Sequence, residues 1–424
     1  MLDIKYIREN SDKVKEGCEK KQVNVDIDKL LEIDKKRREL LQKIETLKAE
    51  QNKLGKDDQE KAKKLKEKIK KLDPELNKIE KEFNQLMRII PNIPLDDVIE
   101  GKGEEDNKVL REEAKKPEFS DFKPKDYLEI AEKLDIIDIQ RAAKTSGSRF
   151  GYIKGGAVLL EFALVQLAFK VLSKKNFVPV IPPVMLKREA MEGMGYLDRG
   201  ADEVYHLEKD DLYLVGTSEQ SIGAMHMNEI FQEKDLPKRY MGFSTCFRRE
   251  AGAYGKDTKG ILRVHQFDKI EMFSFCLPEE SAQEHKLLLS LEEELMKALE
   301  LPYRVIDICS GDLGDPAAKK WDIETWMPGQ DTYRETHSTS NCTDWQSRRL
   351  NIRYKGKDGV KFVHTLNGTA FAIGRMIISI IENYQQKDGS VKIPEVLQEY
   401  MGGIEIGRAS KTTSLTLGGR KGVF

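Results

Sequence analysis

The chain has 424 residues, which is enough for two or three domains. Its 72 Lys and Arg nearly balance 73 Asp and Glu, so the net charge of −1 excludes a globally basic nucleic-acid-binding protein. Five scattered cysteines without a Cys-x-x-Cys pair, together with six dispersed histidines, argue against a disulfide framework and a zinc site and favour a reducing compartment.

The sequence predicts no membrane attachment. Its first residues lack the apolar core of a signal sequence. The most apolar run, residues 155–172, is interrupted by Glu161, Gln166 and Lys170 and is too short and too charged to span a bilayer. We therefore expect a cytoplasmic protein in which this run is a buried or interface helix.

Two segments with a heptad-like period follow a short helix predicted at residues 2–20. Apolar or long side chains recur every three or four residues over 30–54 and again over 62–86, with a glycine-containing turn between them. This pattern predicts an antiparallel coiled-coil hairpin at about 29–88, with arms of roughly 40–45 Å. Pro74 lies in the second segment, where we expect a kink, with Asp73 capping the resumed helix.

The hairpin also concentrates positive charge. Residues 29–88 contain 19 Lys and Arg against 13 Asp and Glu. Lysines follow a phosphate backbone without reading its sequence. The positive charge therefore predicts an arm that follows the phosphate backbone of a nucleic acid. An ordinary solvated coiled coil and a dimerisation rod are the alternative interpretations. The densest run supplies Lys61, Lys63, Lys64, Lys66, Lys68, Lys70 and Lys71.

The remaining residues predict an α+β domain. Residues 91–125 are rich in proline, glycine and charge and predict a linker. The predicted helices are 127–134, 138–145, 156–174, 217–231 and 279–299. The predicted strands are 177–181, 204–207, 212–216, 303–308, 321–327, 333–338, 350–354 and 360–366. Consecutive strands with few helical crossovers indicate a largely antiparallel sheet, and no Rossmann or P-loop motif occurs.

The stretch from Phe247 to Phe275 predicts a strand, a glycine-rich loop and a returning strand. Alternation of side chains along a strand places Arg248 and Glu250 on one face of the first arm. It places Arg263, Phe267 and Glu271 on one face of the second. Charged groups beside an aromatic ring suit an anionic ligand with a flat ring. A solvent-exposed hairpin with scattered charges is the alternative.

A further candidate element begins at Asn367-Gly368-Thr369, where we expect a strand to turn into a helix and to present free backbone N–H groups. Arg375 lies on that helix, away from its isoleucine stripe. Arginines bind phosphate oxygens bidentately. Glu335 and Ser338 offer the hard oxygen ligands that Mg²⁺ prefers.

These segments resemble the motifs of bacterial-type seryl-tRNA synthetases, which are class II aminoacyl-tRNA synthetases, over about residues 1–403. Residues 156–183 resemble motif 1, which forms the dimer interface in the family. Residues 243–275, with Phe-Arg-Arg-Glu and Arg-Val-His-Gln-Phe-Asp-Lys-Ile-Glu-Met, resemble motif 2, and 362–385 resemble motif 3. The resemblance implies an N-terminal tRNA-binding domain at 1–110, a class II antiparallel β-sheet catalytic domain with flanking helices at 111–403, and a C-terminal tail at 404–424.

The resemblance implies ATP-dependent ligation of L-serine to tRNA(Ser), and to tRNA(Sec), through seryl-adenylate and with Mg²⁺. It also implies a homodimer that binds tRNA across its subunits. The implied catalytic residues are Arg248, which bridges the α-phosphate and the serine carboxylate, and Arg375, which lies towards the γ-phosphate. Glu250 is expected to face the adenine amino group and Phe267 to stack on the ring.

The implied ATP-binding residues are Arg248, Arg249, Glu250, Arg263, Val264, Phe267, Glu335, Thr336, His337, Ser338 and Arg375. The implied serine-binding residues are Thr217, Ser218, Glu219, Arg248, Glu271, Asn367 and Thr369. Mg²⁺ is expected at Glu335 and Ser338. The implied tRNA contacts are the seven hairpin lysines and, in a loop at 251–260 expected to order on the tRNA acceptor end, Lys256 and Lys259.

Two positions depart from the family pattern. Thr369 stands where many relatives have serine; the threonine retains the hydroxyl and makes the pocket slightly tighter. His337 is the third residue of Glu-Thr-His-Ser, where Glu-x-Ser-Ser is the commoner family sequence. Two other functions are the alternatives. One is an enzyme that activates an amino acid and charges a carrier protein, and the other is a non-enzymatic coiled-coil RNA-binding protein.

Overall fold

The computed structural model describes residues 1–55, 58–251, 257, 259–402 and 406. Its N-terminal part consists of four helices, α1 Ile4–Glu9, α2 Ser11–Lys20, α3 Ile27–Asn52 and α4 Gln59–Ile89. The single helix predicted at residues 2–20 is two helices, because Asn10 between them has a non-helical backbone with φ −135° and ψ 41°.

Helices α3 and α4 form the predicted hairpin. Lys29 pairs with Glu82 at 3.0 Å, and the Arg37 guanidinium lies 4.7 Å from the centre of the Phe83 ring. The base of the hairpin, where α3 begins and α4 ends, contains the buried side chains of Leu30, Ile33, Phe83 and Met87. Farther out, the residues of α4 that face α3, Leu65, Ile69 and Leu72, are only partly buried. Because the outer parts of the two helices bury so little apolar surface, the arm projects into solvent, as the single apolar stripe on each helix predicts.

Helix α4 continues through Pro74 without interruption. The prediction that Asp73 caps a resumed helix is therefore wrong, because no second helix begins there. A proline inside a helix costs about 3 kcal/mol, and the kink expected at Pro74 stays a prediction.

The rest of the chain is an α+β fold. Its helices are α5 Tyr127–Leu134, α6 Ile139–Ser146, α7 Gly156–Ser173, α8 Arg188–Met194, α9 Ser218–Ala224, α10 Ser281–Ala298, α11 Trp345–Leu350, α12 Ile373–Asn383 and α13 Glu395–Gln398. Its strands are β1 Lys108–Glu113, β2 Ile137–Asp138, β3 Tyr152–Ile153, β4 Val178–Val180, β5 Met185–Lys187, β6 His206–Leu207, β7 Leu212–Leu214, β8 Ile230–Gln232, β9 Lys238–Phe247, β10 Gln266–Cys276, β11 Tyr303–Asp307, β12 Lys319–Met327, β13 Thr332–Asn341, β14 Arg353–Gly356, β15 Gly359–Phe362 and β16 His364–Ala372.

Eight strands form the main sheet in the order β1-β11-β12-β13-β16-β10-β9-β4. Every neighbouring pair is antiparallel except β4 and β9, which are parallel. This confirms the predicted antiparallel sheet. Alternate residues of β10, among them Ile270 and Met272, enter a core formed with α7, α10 and α12. The other set, Phe267, Lys269 and Glu271, therefore faces the opposite side of the sheet.

Helix α7 is the predicted apolar helix. The prediction that this run is too short and too charged to span a bilayer is wrong, because the helix is long and apolar enough by length and composition alone. However, 56% of it is buried inside the protein, as in the core helix of a soluble fold. Leu160 and Leu164 are fully buried. Leu159 and Phe162 remain 39% and 52% exposed, so the helix has both a core face and an uncovered apolar face.

Several boundaries differ from the prediction because tertiary pairing overrides the local pattern. The predicted linker contains β1, which pairs with β11, so the expected domain boundary at 110/111 falls inside a strand. The helix that begins at Ser218 ends at Ala224 rather than near residue 231, because residues 230–232 form β8 and pair with β14. Leu350 ends α11 rather than opening a strand, since Asn351 follows at φ +56°.

The two functional stretches are also built differently. Strand β9 ends at Phe247 and β10 begins at Gln266, so Arg248, Glu250 and Arg263 lie beyond the strand ends and not on the predicted strand faces. Glu250 has φ +51°, which no strand residue adopts. Residues 367–369 lie within β16, where they pair with β10, so their expected free N–H groups belong to the sheet and the helix begins only at Ile373.

Candidate active site

A cavity of about 760 Å³ opens on the face of the main sheet opposite α7, α10 and α12. Its walls come from β10, β12, β13 and β16, the start of α9 and α12, and the segments that flank β9 and β10. Fourteen of the predicted site residues line it: Thr217, Glu219, Arg248, Glu250, Arg263, Val264, Phe267, Glu271, Glu335, Thr336, Ser338, Asn367, Thr369 and Arg375. Residues scattered over 159 positions of sequence therefore meet at one place.

Three of the predicted ATP- and serine-binding residues do not line this cavity. Ser218 is fully buried and donates a hydrogen bond to the Gly242 carbonyl at 3.2 Å. The Arg249 guanidinium lies over the Tyr205 ring, outside the cavity. His337 is 1% exposed and packs against Phe371 on the core side of the sheet.

A β-bulge in β13 explains the position of His337. Ile323 pairs with His337 and Glu324 pairs with Glu335, which leaves Thr336 as an extra residue. His337 turns into the core, whereas Thr336 borders the cavity although its hydroxyl lies on the core side, 2.8 Å from that of the buried Thr325. The extra residue lets Glu335 and Ser338, three positions apart, share the cavity face.

One end of the cavity is acidic. Glu271 on β10 lies directly opposite Thr369 on β16. Its carboxylate accepts a hydrogen bond from the Thr217 hydroxyl at 3.4 Å and pairs with the buried ammonium of Lys269. Glu219 follows on the first turn of α9, which Thr217 caps. Two carboxylates and two hydroxyls thus converge on a small polar space.

Glu219 is buried and held by two donors. The Tyr196 hydroxyl donates to Oε2 and the Gln346 amide donates to Oε1, both at 2.9 Å. Gln346 in turn accepts from the Thr365 hydroxyl at 2.8 Å, which fixes the orientation of its amide. Burial, with the charge of Glu271 nearby, raises the pKa of Glu219. Such a carboxylate is stabilised by a cation that enters the cavity.

The other end of the cavity is basic. Arg248 donates from Nε to the Gly216 carbonyl at 3.1 Å, and its guanidinium lies 5.2 Å from the centre of the Phe267 ring. Arg263 donates to the Glu250 carboxylate at 2.8 Å. Arginine forks beside an aromatic ring suit a phosphorylated ligand with a planar base.

Glu335 and Arg375 face each other at this basic end. Arg375 Nη1 donates to the Glu335 carbonyl at 2.8 Å and to its Oε1 at 3.0 Å. The Glu335 side chain is half exposed in the cavity. Its enclosure by surrounding protein opposes ionisation, but the charges of Arg375 and Lys320 outweigh this and lower its pKa. Glu335 therefore stays ionised over the physiological range and, with Ser338, presents hard oxygens to the cavity.

Sequence reasoning missed several residues at this site, among them Tyr196, which lines the cavity and donates to Glu219. Lys269 lies between Phe267 and Glu271 at the same strand parity, so the alternation that selected its neighbours also selects it. Lys320 lines the cavity and pairs with Asp322 at 2.9 Å. Gln346 comes from α11, and no local pattern in the sequence marks it, because its contact with Glu219 spans 127 positions.

The predicted tRNA-contacting lysines are partly described. All seven lysines of the hairpin run are exposed on α4, and so is Lys259. Lys256 lies outside the described residues. So does the predicted tail at 404–424 apart from Ile406, which is buried and bridges to Val391.

Comparisons with known proteins agree with this architecture. Residues 1–94 match the model of the seryl-tRNA synthetase N-terminal domain, and residues 203–384 match that of the tRNA synthetase class II core domain (G, H, P, S and T). The serine–tRNA ligase of Acidothermus cellulolyticus is 47% identical over 95% of this chain and 98% of its own length. That of Dictyoglomus thermophilum is 47% identical over 96% of this chain and 99% of its own length.

A solved structure shows the same likeness in three dimensions. The seryl-tRNA synthetase of Pyrococcus horikoshii complexed with ATP matches with a TM-score of 0.89 and 41% identity, over 97% of this chain and all of that one. Prolyl-tRNA synthetase of Giardia lamblia, at 17% identity and a TM-score of 0.55, shares the fold alone. The chain therefore belongs to the seryl-tRNA synthetase family, whose members are class II serine–tRNA ligases.

Proposed function

We propose that the chain activates L-serine with ATP as seryl-adenylate and transfers the seryl group to tRNA(Ser) and tRNA(Sec). One observation carries the proposal: a single cavity has the carboxylates of Glu219 and Glu271 at one end and three arginines at the other. The acidic end suits the serine ammonium and hydroxyl, and the basic end suits a triphosphate. Arg248 is the arginine that we place where the serine carboxylate meets the α-phosphate.

In the activation step a carboxylate oxygen of serine forms a bond to the α-phosphorus. The bond from that phosphorus to the bridging oxygen breaks, and pyrophosphate leaves with the electron pair. The substrates supply both nucleophile and leaving group, so the protein contributes orientation and charge stabilisation. The Gly216 carbonyl holds Arg248 Nε, which orients the guanidinium before substrates bind.

At the serine end, Glu219 and Glu271 would bind the ammonium, while Thr217, Asn367 and Thr369 enclose the side chain. A site built to hydrogen-bond a hydroxyl rejects alanine, because alanine leaves buried polar groups unpaired. The threonine methyl group has to be rejected sterically. Thr369 retains the hydroxyl of the commoner serine and adds a methyl group that narrows this end.

At the nucleotide end, Phe267 would stack on adenine and Glu250 would accept from its amino group. Glu250 is bonded to Arg263 in the structure, so ATP would replace one partner of each: adenine for Glu250 and phosphate for Arg263. Arg375 would bind towards the γ-phosphate. On this proposal, nucleotide binding exchanges the ion pair between Glu250 and Arg263 for contacts with adenine and phosphate.

Glu335 and Ser338 fit a magnesium ion shared with the phosphates. Their oxygens are hard ligands, and Mg²⁺ commonly uses one or two protein ligands with phosphate and water. When bound, the ion offsets phosphate charge. In the described part of the chain no cluster of three or more His, Cys, Asp or Glu side chains forms a metal site, so substrate and water would complete the coordination.

We also propose a cytoplasmic homodimer in which one subunit's arm grips tRNA bound to the other. The uncovered apolar face of α7, with Leu159 and Phe162, continues to Val178 and Ile181, which are 52% and 84% exposed. A second copy of the chain would cover this face. The lysines of α4 would contact the tRNA backbone and read its shape more than its sequence.

Serine-dependent exchange of pyrophosphate into ATP tests the activation step. The wild type should exchange with serine and far less with alanine, threonine or cysteine. Arg248→Ala should lose about 100-fold or more in activity, as removal of a charge-stabilising donor does. Arg188→Ala is the matched control, because Arg188 forms an exposed pair with Asp211 outside the cavity. Exchange that is absent from the wild type would disprove the proposal.

A shortened arm tests the second step. Replacing residues 41–72 by a short glycine linker removes the lysine run but keeps Leu30, Ile33, Phe83 and Met87 at the base. Pyrophosphate exchange should persist, and charging of tRNA(Ser) and tRNA(Sec) transcripts should fall strongly. Equal loss of both activities would show that the arm is structural. Normal charging would remove the arm from tRNA recognition.

A further inference from the structure

Residues 314–318 connect β11 to β12 and contribute Gly314, Pro316 and Ala317 to the cavity wall. The five successive carbonyl groups of this segment all accept hydrogen bonds from the N-terminal part of the chain. The donors are Lys21, Asn92 and Leu95. A cavity wall is thus supported by residues that lie far from it in sequence.

Lys21 makes three of these contacts. It follows α2 and is 4% exposed. Its Nζ donates to the carbonyl oxygens of Gly314 at 2.9 Å, Asp315 at 3.3 Å and Ala317 at 2.6 Å. An ammonium has three N–H donors and no acceptor, so three carbonyls match its capacity. Because one ammonium binds three nearby carbonyl groups, Lys21 restrains the backbone conformation of residues 314–317 as well as their position.

Asn92 completes the support from the end of α4. It is 3% exposed and donates from Nδ2 to the Pro316 carbonyl at 2.9 Å and to the Cys342 carbonyl at 2.8 Å. Cys342 also lines the cavity, and its sulfur accepts from the Asn367 amide at 3.7 Å. Asn92 therefore joins two wall segments next to Asn367, at the acidic end.

A second connection runs through α11. Trp345 is 1% exposed and packs in the core of the N-terminal helices, where its indole N–H donates to the Ile90 carbonyl at 3.2 Å. The next residue, Gln346, donates to Glu219 in the cavity. Two adjacent residues of one short helix thus contact the core of the N-terminal helices and the acidic end of the site, respectively.

We propose that the base of the N-terminal helical part shapes the serine end of the active site, with Lys21 as a positioning residue for serine activation. Lys21 contacts no substrate and acts through the carbonyls of residues 314–317. The inference rests on the proposed serine end of the cavity. It gives the N-terminal part a role in the first reaction, before any tRNA binds.

The test is pyrophosphate exchange without tRNA in the full-length protein. Lys21→Met keeps the length of the side chain and removes all three donors. It should raise KM for serine by about 10- to 100-fold, as loss of alignment near reacting groups does, and change KM for ATP by less than about twofold. Lys13→Met is the matched control, because Lys13 lies on α2 in an exposed pair with Asp96 at 2.9 Å.

Unchanged KM values in a folded Lys21→Met protein would overturn the positioning role, as would equal rises in both KM values or a lower melting temperature alone. If Lys21→Met does not fold, Asn92→Ala decides by the same criterion, because it removes the donor to Pro316 and Cys342. Absence of exchange in the wild type would instead overturn the proposed function. The two failures are therefore distinguishable.

Discussion

Replacing Glu219 with glutamine removes a charge and almost no volume from the acidic end of the cavity. The carboxylate accepts from Tyr196 and Gln346, both at 2.9 Å. A glutamine has one acceptor oxygen in place of two, so one donor loses its partner, and the charge opposite the serine ammonium disappears. A hydrogen bond to a charged group contributes about 1.5–3 kcal/mol. At about 1.4 kcal/mol per factor of ten, Glu219→Gln should lower kcat/KM for serine by roughly 10- to 150-fold.

Tyr196→Phe provides the graded comparison. It removes one donor and leaves the charge and the Gln346 contact in place, so the expected loss is at the lower end of that range, about 1.5 kcal/mol or roughly tenfold. Serine-dependent pyrophosphate exchange measures both variants, with KM for ATP as the internal reference. If Glu219→Gln raises KM for ATP as much as KM for serine, Glu219 does not bind the ammonium. If Glu219→Gln and Tyr196→Phe lower kcat/KM for serine equally, the charge of Glu219 does not contribute to serine binding.

The pH dependence adds an independent check. Burial, followed by the charge of Glu271, raises the pKa of Glu219. A group with a raised pKa becomes protonated at a higher pH than an ordinary glutamate, so it loses its charge as pH falls through that pKa. KM for serine should therefore rise on mild acidification in the wild type. The rise should be smaller in Glu219→Gln, and an identical pH profile would contradict the assignment.

Three further predictions concern stability and the loop. Trp345→Ala should lower the free energy of unfolding by about 3–5 kcal/mol and Trp345→Phe by about 1, measured by urea denaturation. Burial lowers the pKa of His285 to about 4, so below pH ~6.5 the unfolded chain binds a proton that the folded chain refuses. As pH falls from ~6.5 to about 4, the free energy of unfolding should therefore decrease by up to about 1.4 kcal/mol per pH unit. His285→Gln should make this pH dependence weaker. Gly260 has φ +81°, and a Cβ there would overlap the Tyr127 hydroxyl, so Gly260→Ala should reduce exchange activity, whereas Gly55→Ala, which is outside the cavity and has nothing within 4 Å of the added Cβ, should not.

Local chemistry was enough to predict the larger elements. The heptad spacing predicted α3 and α4, and the isoleucine stripe with Arg375 beside it predicted α12. Their periods reflect faces that must be buried, and burial pattern is a local property of a helix. Charge and residue type likewise marked Arg248, Arg263 and Phe267, because arginines beside an aromatic ring suit an anionic ligand with a flat ring. The serine-binding residues, such as Thr217 and Asn367, were implied by the family resemblance instead.

Contacts over long sequence separations were not predictable in this way. Gln346 reaches Glu219, and Lys21 reaches residues 314–317 across nearly 300 positions. The bulge that turns His337 into the core depends on the register of β12 and β13, which no single strand encodes. Register arises from the sum of many cross-strand contacts.

By itself, the sequence determined the arm, the antiparallel sheet and the chemical character of the site. It also carried the family resemblance that the comparisons confirm. Only the tertiary structure decided which residues meet: it excluded Ser218, Arg249 and His337 from the cavity, added Lys269 and Lys320 to its lining, and placed Gln346 behind Glu219 as a hydrogen-bond donor. The physical reason is that helix and strand periods are set by neighbouring residues, whereas a cavity is formed by distant segments whose packing fixes which side chains face it.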